Sequence, residues 1–230
     1  MSLSPLDKSK RSAAYRAVDV CITSEVKLIG IGSGSTVLYV IERILQRSKE
    51  LNNQCVFIPT SFQSRQLIIE NGLNLGDIDQ YPEIDVDEHL NAIKGGGACQ
   101  LREKVVAEAA KKFVLVADYT KKSKFLGEKW KQGVPIEVVS FTYVRVMKEL
   151  EALGCEHIKL RMAKCKAGPI ISDNGNFIVD AYFGLINEPG ELSKKIKLIT
   201  GVVEVGLFVN MAKVAYFGNE NGSVLEQKLL

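Results

Sequence analysis

The sequence predicts an α/β protein with two domains. In the first half of the chain, short apolar runs alternate with segments of helical periodicity, a pattern typical of a Rossmann-like, mostly parallel sheet with flanking helices. Beyond residue 133 the predicted order becomes β-α-β-β-α-β, that of a smaller α+β domain of the ferredoxin-like, split βαβ type. We therefore expect residues 1–133 and 203–230 to form the Rossmann-like domain and residues 134–202 to form the smaller one.

The elements of the first half follow from apolar runs, helix caps and helix-ending glycines. The run at 26–31 is short and apolar, as expected of a strand buried on both faces. Ser61 is placed to cap the helix that follows it, and Gly72 to end that helix. The other predicted elements of this half are strands at 56–59, 81–86 and 113–117 and helices at 10–20, 37–45, 62–71 and 99–112.

The second half combines helices with hairpins. Its predicted elements are strands at 136–139 and 158–162, helices at 143–153 and 191–196, and an extended segment at 202–209. Segments 169–172 and 177–182 flank Asp173-Asn174-Gly175-Asn176, which is a strong hairpin signal. Another hairpin is predicted around Asn221-Gly222, and we expect this tail to return to the sheet of the first domain.

Composition excludes several functional classes. The 30 basic and 27 acidic residues are interleaved and give a net charge of +3, so we expect no nucleic-acid-binding surface. No apolar run approaches the roughly 20 residues that a membrane-spanning helix needs. The five cysteines and two histidines are scattered, without a C-x-x-C pair, which disfavours a disulfide framework or a zinc site and favours the cytoplasm.

Polar and glycine-rich segments follow four of the predicted strands. In an open parallel sheet, ligands bind beyond the carboxyl ends of the strands, so these four segments are expected at the binding edge. They are Gly32-Ser33-Gly34-Ser35-Thr36, Thr60-Ser61-Phe62-Gln63-Ser64, Lys94-Gly95-Gly96-Gly97 and Tyr119-Thr120-Lys121-Lys122.

The first of these segments has the properties of an anion site. Its glycines allow close backbone approach, and the N-terminus of the following helix offers unpaired N–H groups and the positive end of a helix dipole. The alternative is an ordinary strand-to-helix turn with capping hydroxyls. Position 35 is Ser, so the loop is not a strict G-x-G-x-x-G. The acidic residue that a dinucleotide site carries about 20 positions downstream has no clear counterpart either, which disfavours NAD.

The glycine run Gly95–Gly97 suits a developing oxyanion. Three consecutive glycines cost conformational entropy, and Lys94 precedes them. Glu103 lies just over one turn into the next helix, where a partly desolvated carboxylate can serve as a general base. The alternative for Glu103 is an ordinary solvent-facing helix residue, and Lys94 and Lys121 are individually typical of surface lysines.

Eight stretches together closely resemble type A ribose-5-phosphate isomerase, above all its eukaryotic members. They are GIGSGSTV, PTSFQSRQLI, LGDIDQYPEID, LNAIKGGGACQLREKVV, VADYTKKS, LGEKWKQGVPIEVV, KAGPIISDNGNFIVDA and GLFVNMAKVAYFG. The resemblance implies interconversion of ribose 5-phosphate and ribulose 5-phosphate in the pentose phosphate pathway, without a metal or cofactor. It also implies a cytosolic homodimer or homotetramer whose Rossmann-like domain is catalytic.

The resemblance also implies roles for individual residues. Glu103 matches the base that transfers the proton between the sugar carbons. Lys94 and Gly95–Gly97 match the residues around the reacting end of the sugar, where Lys94 stabilises negative charge. The substrate-binding loop is matched by Ser33, Gly34, Ser35 and Thr36, and a substrate-contacting lysine by Lys121.

One stretch of the family pattern is missing. Family members carry roughly A-[IF]-D-G-A-D-E-V-D after the strand at 81–86, whereas Val86 is followed here directly by Asp87. In the family the two aspartates open the sugar ring and shuttle protons. Their loss predicts a rate lower by about 10²–10⁴-fold.

Three explanations of the gap remain open: residues omitted from the sequence, misjoined coding segments, or a relative that has lost the acids. The last would also suit an alternative function, a non-enzymatic phosphosugar-binding module.

Overall fold

The computed structural model describes residues 3–47, 49–77 and 90–228. Its helices are α1 Pro5–Cys21, α2 Val37–Leu45, α3 Lys49–Asn53, α4 Phe62–Glu70, α5 Gln100–Ala109, α6 Tyr143–Ala152 and α7 Pro189–Lys197. Its strands are β1 Leu28–Ile31, β2 Val56–Pro59, β3 Ala92–Ile93, β4 Phe113–Asp118, β5 Val134–Val138, β6 His157–Leu160, β7 Phe177–Tyr182, β8 Val202–Val205, β9 Leu207–Phe208, β10 Ala212–Gly218 and β11 Val224–Lys228. The predicted strand 81–86 and the Val86–Asp87 junction lie outside the described residues.

The chain forms two compact units. The first comprises residues 1–90, 105–122 and 210–230, and the second residues 91–104 and 123–209. These bounds differ from the predicted domain limits, since 91–104, 123–133 and 203–209 belong with the smaller unit. Gly206 shows why: its carbonyl accepts from the N–H of Lys94 at 2.8 Å, and its own N–H donates to the carbonyl of Pro135 at 2.7 Å. The assignment of catalysis to one domain stays a prediction.

The first unit contains the predicted parallel strand pairs. β1 pairs in parallel with β2, and β4 pairs in parallel with β10. β10 and β11 form an antiparallel hairpin, so the tail returns to this unit as predicted. The sequence also placed the cap of α4 correctly, because Ser61 and Ser64 form a reciprocal capping box there.

The second unit has the predicted ferredoxin-like topology. Its four strands lie in the order β6-β7-β5-β8, every neighbouring pair is antiparallel, and α6 and α7 are the two helices of the β-α-β-β-α-β order. The predicted hairpin strand at 169–172 is not regular in the structure. This segment makes only isolated bridges, between Ile171 and Phe177 and between Pro169 and Met162. The difference has a long-range cause, since the Oγ of Ser172 donates to the buried carboxylate of Glu137 at 2.7 Å.

The two faces of this sheet differ in chemistry. Ile136 and Val138 point into an apolar core that includes Val146 and Leu150 of α6. Successive residues of a strand face opposite sides, so Glu137 faces away from that core. Three carboxylate residues of the strands are buried or nearly so: Glu137, Asp180 and Glu204.

Within the described residues, no helix has the length and apolar character required to cross a membrane.

Candidate active site

Lys94 and Glu103 form an ion pair in the second unit. The Nζ of Lys94 lies 3.0 Å from Oε1 of Glu103. The Glu103 side chain is 5% exposed and that of Lys94 is 25% exposed. The general tendency of a helix glutamate to face solvent therefore does not hold for Glu103. A buried carboxylate beside a cation is suited to accepting and returning a proton.

Two elements place this pair. β3 pairs with β9, and the N–H of Lys94 extends this pairing to Gly206, which fixes Lys94 at the end of the strand. α5 begins at Gln100, so Glu103 lies in its first turn, where its N–H donates to the carbonyl of Cys99 at 2.9 Å. The short connection between the two elements then brings the side chains together.

The glycine run begins at a position, Gly95, where a side chain would be obstructed. Gly95 has φ +98°, and a Cβ there would lie 2.8 Å from Oε1 of Gln100. Ala98 also has a positive φ of 61°, in the region that few residues with a side chain adopt. The N–H of Ala98 donates to the carbonyl of Gly95 at 3.0 Å. The loop is therefore a tight turn, with a residue of positive φ at each end, that leads into α5.

Two aromatic residues near this cluster were not found from the sequence. A Cβ on Gly96 would lie 3.7 Å from the Trp130 ring, so this ring stands beside the loop. The Phe208 ring centroid lies 5.5 Å from Nζ of Lys94 and 5.0 Å from Nζ of Lys104. No local pattern marks either residue, because both reach the cluster from elements distant in sequence.

In the first unit, three of the predicted binding residues line one open cavity of about 230 Å³. Ser35, Thr36 and Lys121 lie on its wall, whereas Ser33 and Gly34 belong to the same loop without lining it. The remaining lining residues are Leu6, Lys10, Val116, Ala117, Asp118 and Thr120. Helix α2 begins directly after this loop, and the side chain of its N-cap residue, Thr36, makes no capping hydrogen bond to the first turn of the helix. The cavity therefore combines lysines with a helix N-terminus, as an anion site does.

Lys10 is a cavity residue that the sequence analysis missed. It lies on α1, one turn after Leu6, and its Nζ is 3.5 Å from Oδ1 of Asp7. The sequence contains no motif around Lys10 that distinguishes it from the neighbouring Lys8. Only the packing of α1 brings it to the loop at 33–36.

The backbone of the first loop is held by an amide side chain. The N–H of Gly34 donates to Oε1 of Gln63 at 2.8 Å, and Nε2 of Gln63 donates back to the carbonyl of Gly34 at 3.3 Å. Gln63 lies in the first turn of α4, two positions after the capping Ser61. Two of the four predicted strand-end segments thus contact each other.

The predicted residues accordingly fall into two groups. Lys94, Gly95–Gly97 and Glu103 lie in the second unit, and Ser33–Thr36 and Lys121 lie in the first. The positions that the missing acidic stretch would occupy lie outside the described residues.

Comparison with known proteins identifies the relatives of this chain. Residues 56–222 match the family model for ribose 5-phosphate isomerase A (phosphoriboisomerase A). The chain belongs to this family. A ribose-5-phosphate isomerase of Cryptococcus neoformans is 56% identical over 240 residues, covering 96% of this chain and 80% of that protein. One of Candida albicans is 55% identical over 235 residues, covering 97% of both proteins.

The fold is that of the family as well. A D-ribose-5-phosphate isomerase structure in complex with phospho-erythronic acid superposes with a TM-score of 0.89 at 33% identity, covering 97% of this chain and 99% of the other. The predicted α/β class, the resemblance stated from the sequence motifs and the isomerase assignment are thereby confirmed.

Proposed function

We propose that this chain interconverts ribose 5-phosphate and ribulose 5-phosphate through an enediolate, with Glu103 as the base. The observation that carries this assignment is the buried Glu103 carboxylate, 5% exposed and 3.0 Å from the Lys94 ammonium group. A base in a water-poor site can take a proton from carbon and return it to the neighbouring carbon without losing it to solvent.

The reaction consists of two proton transfers at carbon and one between the two oxygens. In the direction from aldose to ketose, the Glu103 carboxylate takes the proton from C2, and the electron pair of that bond forms the C1–C2 double bond while O1 gains negative charge. The proton of the O2 hydroxyl then passes to O1, and Glu103 returns its proton to C1, so that C2 becomes the carbonyl carbon and O1 a hydroxyl. Lys94 and the N–H groups of the glycine run stabilise the oxyanion.

We assign phosphate binding to the cavity of the first unit. Lys121, Thr36 and Ser35 line it, Lys10 adds a second cation, and α2 contributes its N-terminus. Ser33 and Gly34 shape the loop. Charge-assisted hydrogen bonds from lysine and hydroxyl donors are the strong interactions that a phosphate group makes.

Location and assembly are part of the same proposal. We place the protein in the cytoplasm as a homodimer or homotetramer that uses no metal or cofactor and binds no nucleic acid. The support is its membership in a family of metabolic isomerases and its small net charge. Light scattering on the purified chain measures the assembly, and a monomer at micromolar concentration would contradict it.

Glu103→Gln tests the proposed base. We expect kcat to fall by at least about 10²-fold, because the amide cannot accept the C2 proton. Glu108→Gln is the matched control, since Glu108 lies on the same helix and is exposed. The second readout is transfer of deuterium from C2 of the substrate to C1 of the product, which should be lost with turnover. Wild-type rates in Glu103→Gln would contradict the proposal.

A second candidate function is a phosphosugar-binding module without turnover. The absence of the D-G-A-D stretch between Val86 and Asp87 favours it. Calorimetry with ribose 5-phosphate, run beside the isomerase assay, separates the two functions. Binding without turnover supports the module, and turnover supports the isomerase.

A further inference from the structure

Arg161 in the second unit makes contacts that the assigned catalytic groups do not explain. It directly follows β6, and its backbone is held on both sides. Its N–H donates to the carbonyl of Ile178 at 2.8 Å, and its carbonyl accepts from the N–H of Ile170 at 2.9 Å. The side chain is only 15% exposed. Arg161 therefore presents its guanidinium group from a fixed point of the sheet.

The guanidinium group divides its donors between one carboxylate and the glycine run. Its Nε donates to Oδ2 of Asp180 at 2.9 Å, and one terminal nitrogen, Nη2, donates to Oδ1. The other terminal nitrogen, Nη1, donates to the carbonyl of Gly95 at 2.9 Å and to that of Gly96 at 3.1 Å. Asp180 is 5% exposed and lies on β7, an inner strand. The ion pair with Asp180 thus fixes the guanidinium group, and its Nη1 nitrogen binds two successive carbonyls of the glycine run.

Holding the carbonyls orients the N–H groups of the same peptides. All peptide bonds of the described residues are trans, and in a trans peptide the C=O and the following N–H point in opposite directions. With the carbonyls of Gly95 and Gly96 turned toward Arg161, the N–H groups of Gly96 and Gly97 are turned away from it. Within the described part of the chain, neither N–H donates a hydrogen bond. Two aligned donors are thereby left for an oxyanion.

The loop has little means of holding this orientation by itself. Glycines at 95, 96 and 97 have no side chains to restrict their dihedral angles, and Gly95 is already at φ +98°. A single backbone bond, from Ala98 to Gly95, crosses the turn. Preorganised donors stabilise a transition state because they do not reorganise during the reaction. An external clamp on these carbonyls supplies that preorganisation.

We infer that Arg161, backed by Asp180, is a positioning residue for the isomerisation: it fixes the N–H groups of Gly96 and Gly97 as donors to the enediolate oxygens. This inference rests on the proposed function of the glycine run and Glu103. Arg161 acts through the loop and is not itself a catalytic residue. Its removal should therefore impair the step in which charge develops much more than the binding of the ground-state sugar.

The test compares Arg161→Met with wild type in kcat, in KM for ribose 5-phosphate and in inhibition by phospho-erythronic acid. The planar carboxylate of this acid, which is bound in a related structure, carries negative charge on two oxygens, as the O–C=C–O group of the enediolate does. We expect kcat to fall about 10–100-fold and the inhibition constant to rise by a similar factor, with KM changed by less than about threefold. Arg145→Met is the matched control, because Arg145 is 76% exposed and pairs only along its own helix with Glu149.

Further variants keep the test decisive if Arg161→Met does not fold. Arg161→Lys keeps the charge beside Asp180 but lacks the separate nitrogen, Nη1, that donates to both carbonyls. The double variant Arg161→Met with Asp180→Asn leaves no unpaired buried charge. Both should show the same split between kcat and KM. Wild-type kcat and inhibition in a folded variant would overturn the inference, as would an equal rise of KM and the inhibition constant.

Failure of the proposed function gives a different result. If Glu103→Gln retains wild-type turnover, the proposed base is wrong whatever Arg161 does. If Glu103→Gln is impaired and the folded Arg161 variants are not, only the role of Arg161 is wrong.

Discussion

The Nζ of Lys94 and Oε1 of Glu103 lie 3.0 Å apart, although nine positions separate the two residues in the chain. The lysine is the more exposed partner, and its position at the end of β3 lets it contact both the carboxylate and the face of the Phe208 ring. The proposed base and the proposed electrostatic stabiliser therefore form one ion pair, and the first prediction concerns its cation.

Lys94→Met should lower kcat by about 10²–10³-fold, because a positive charge is lost where the oxyanion develops. Lys164→Met, at an exposed position of the same unit, is the control. Steady-state kinetics of both variants provide the measurement. Full activity of Lys94→Met would show that the ion pair has only a structural role.

Gln100 should limit stability. Its side chain is fully buried, and neither Nε2 nor Oε1 has a hydrogen-bond partner among the described residues. Gln100→Leu removes this unpaired amide at similar volume, so we expect the free energy of unfolding to rise by about 1–3 kcal/mol. Urea denaturation measures it. The exposed Gln132→Leu should change it by less than about 0.5 kcal/mol, and an unchanged or lower stability of Gln100→Leu would contradict the prediction.

Glu204 should make stability depend on pH. Burial raises the pKa of Glu204. Three hydrogen bonds, from Lys104, Lys197 and the N–H of Val205, together with the charge of Lys104, outweigh burial and hold this pKa below its ordinary value. A lowered folded-state pKa stabilises the protein above the unfolded-state pKa, and this contribution disappears as the pH falls through the folded-state pKa.

Glu204→Gln should therefore cost about 2–3 kcal/mol of unfolding free energy at pH 7, partly because Lys104 remains buried. The difference from wild type should shrink below about pH 4. Denaturation at both pH values gives the comparison, with the exposed Glu149→Gln as control. A difference that stays constant down to pH 3 would rule out the ionic explanation.

The cavity residues should govern phosphate affinity. Lys10→Met is expected to raise KM for ribose 5-phosphate by about tenfold, the effect of one charge-assisted contact of about 1.5 kcal/mol, with a smaller change in kcat. Lys8→Met is the control, because Lys8 lies on the same helix, is exposed and does not line the cavity. Inhibition by inorganic phosphate should weaken in parallel. Equal effects at the two lysines would contradict the assignment.

The junction at Val86–Asp87 should limit the rate of isomerisation. Inserting Ala-Ile-Asp-Gly-Ala-Asp-Glu-Val there restores the family pattern and should raise kcat by about 10²–10⁴-fold, because it supplies the two acids. The same insertion with asparagine in place of both aspartates is the control. Near-normal turnover of the 230-residue chain, unchanged by the insertion, would show that the acids are supplied in another way. The coding DNA across the junction tells whether the gap is genuine.

Local sequence signals predicted most elements because those elements depend on neighbouring residues. α2 and β2 have the predicted bounds, and the Ser61 cap is present. The hairpin signal at 173–176 predicts a strand at 169–172. In the structure, however, Glu137, more than 30 positions away, accepts hydrogen bonds from Ser172 and Asn174. Such a contact depends on sheet order, which no local pattern contains.

The sequence by itself determined the family, the order of the elements and the residue types that carry the chemistry, since periodicity, caps and motifs are properties of short segments. Only the tertiary structure decided which of these residues are buried and what holds them. Glu103 is buried against the usual tendency of its type, Lys10 lines the same cavity as Ser35 because α1 packs there, and Arg161 binds a loop 66 positions away. The physical reason is that burial and long-range hydrogen bonds arise when strands pair and helices pack, after the local elements have already been specified.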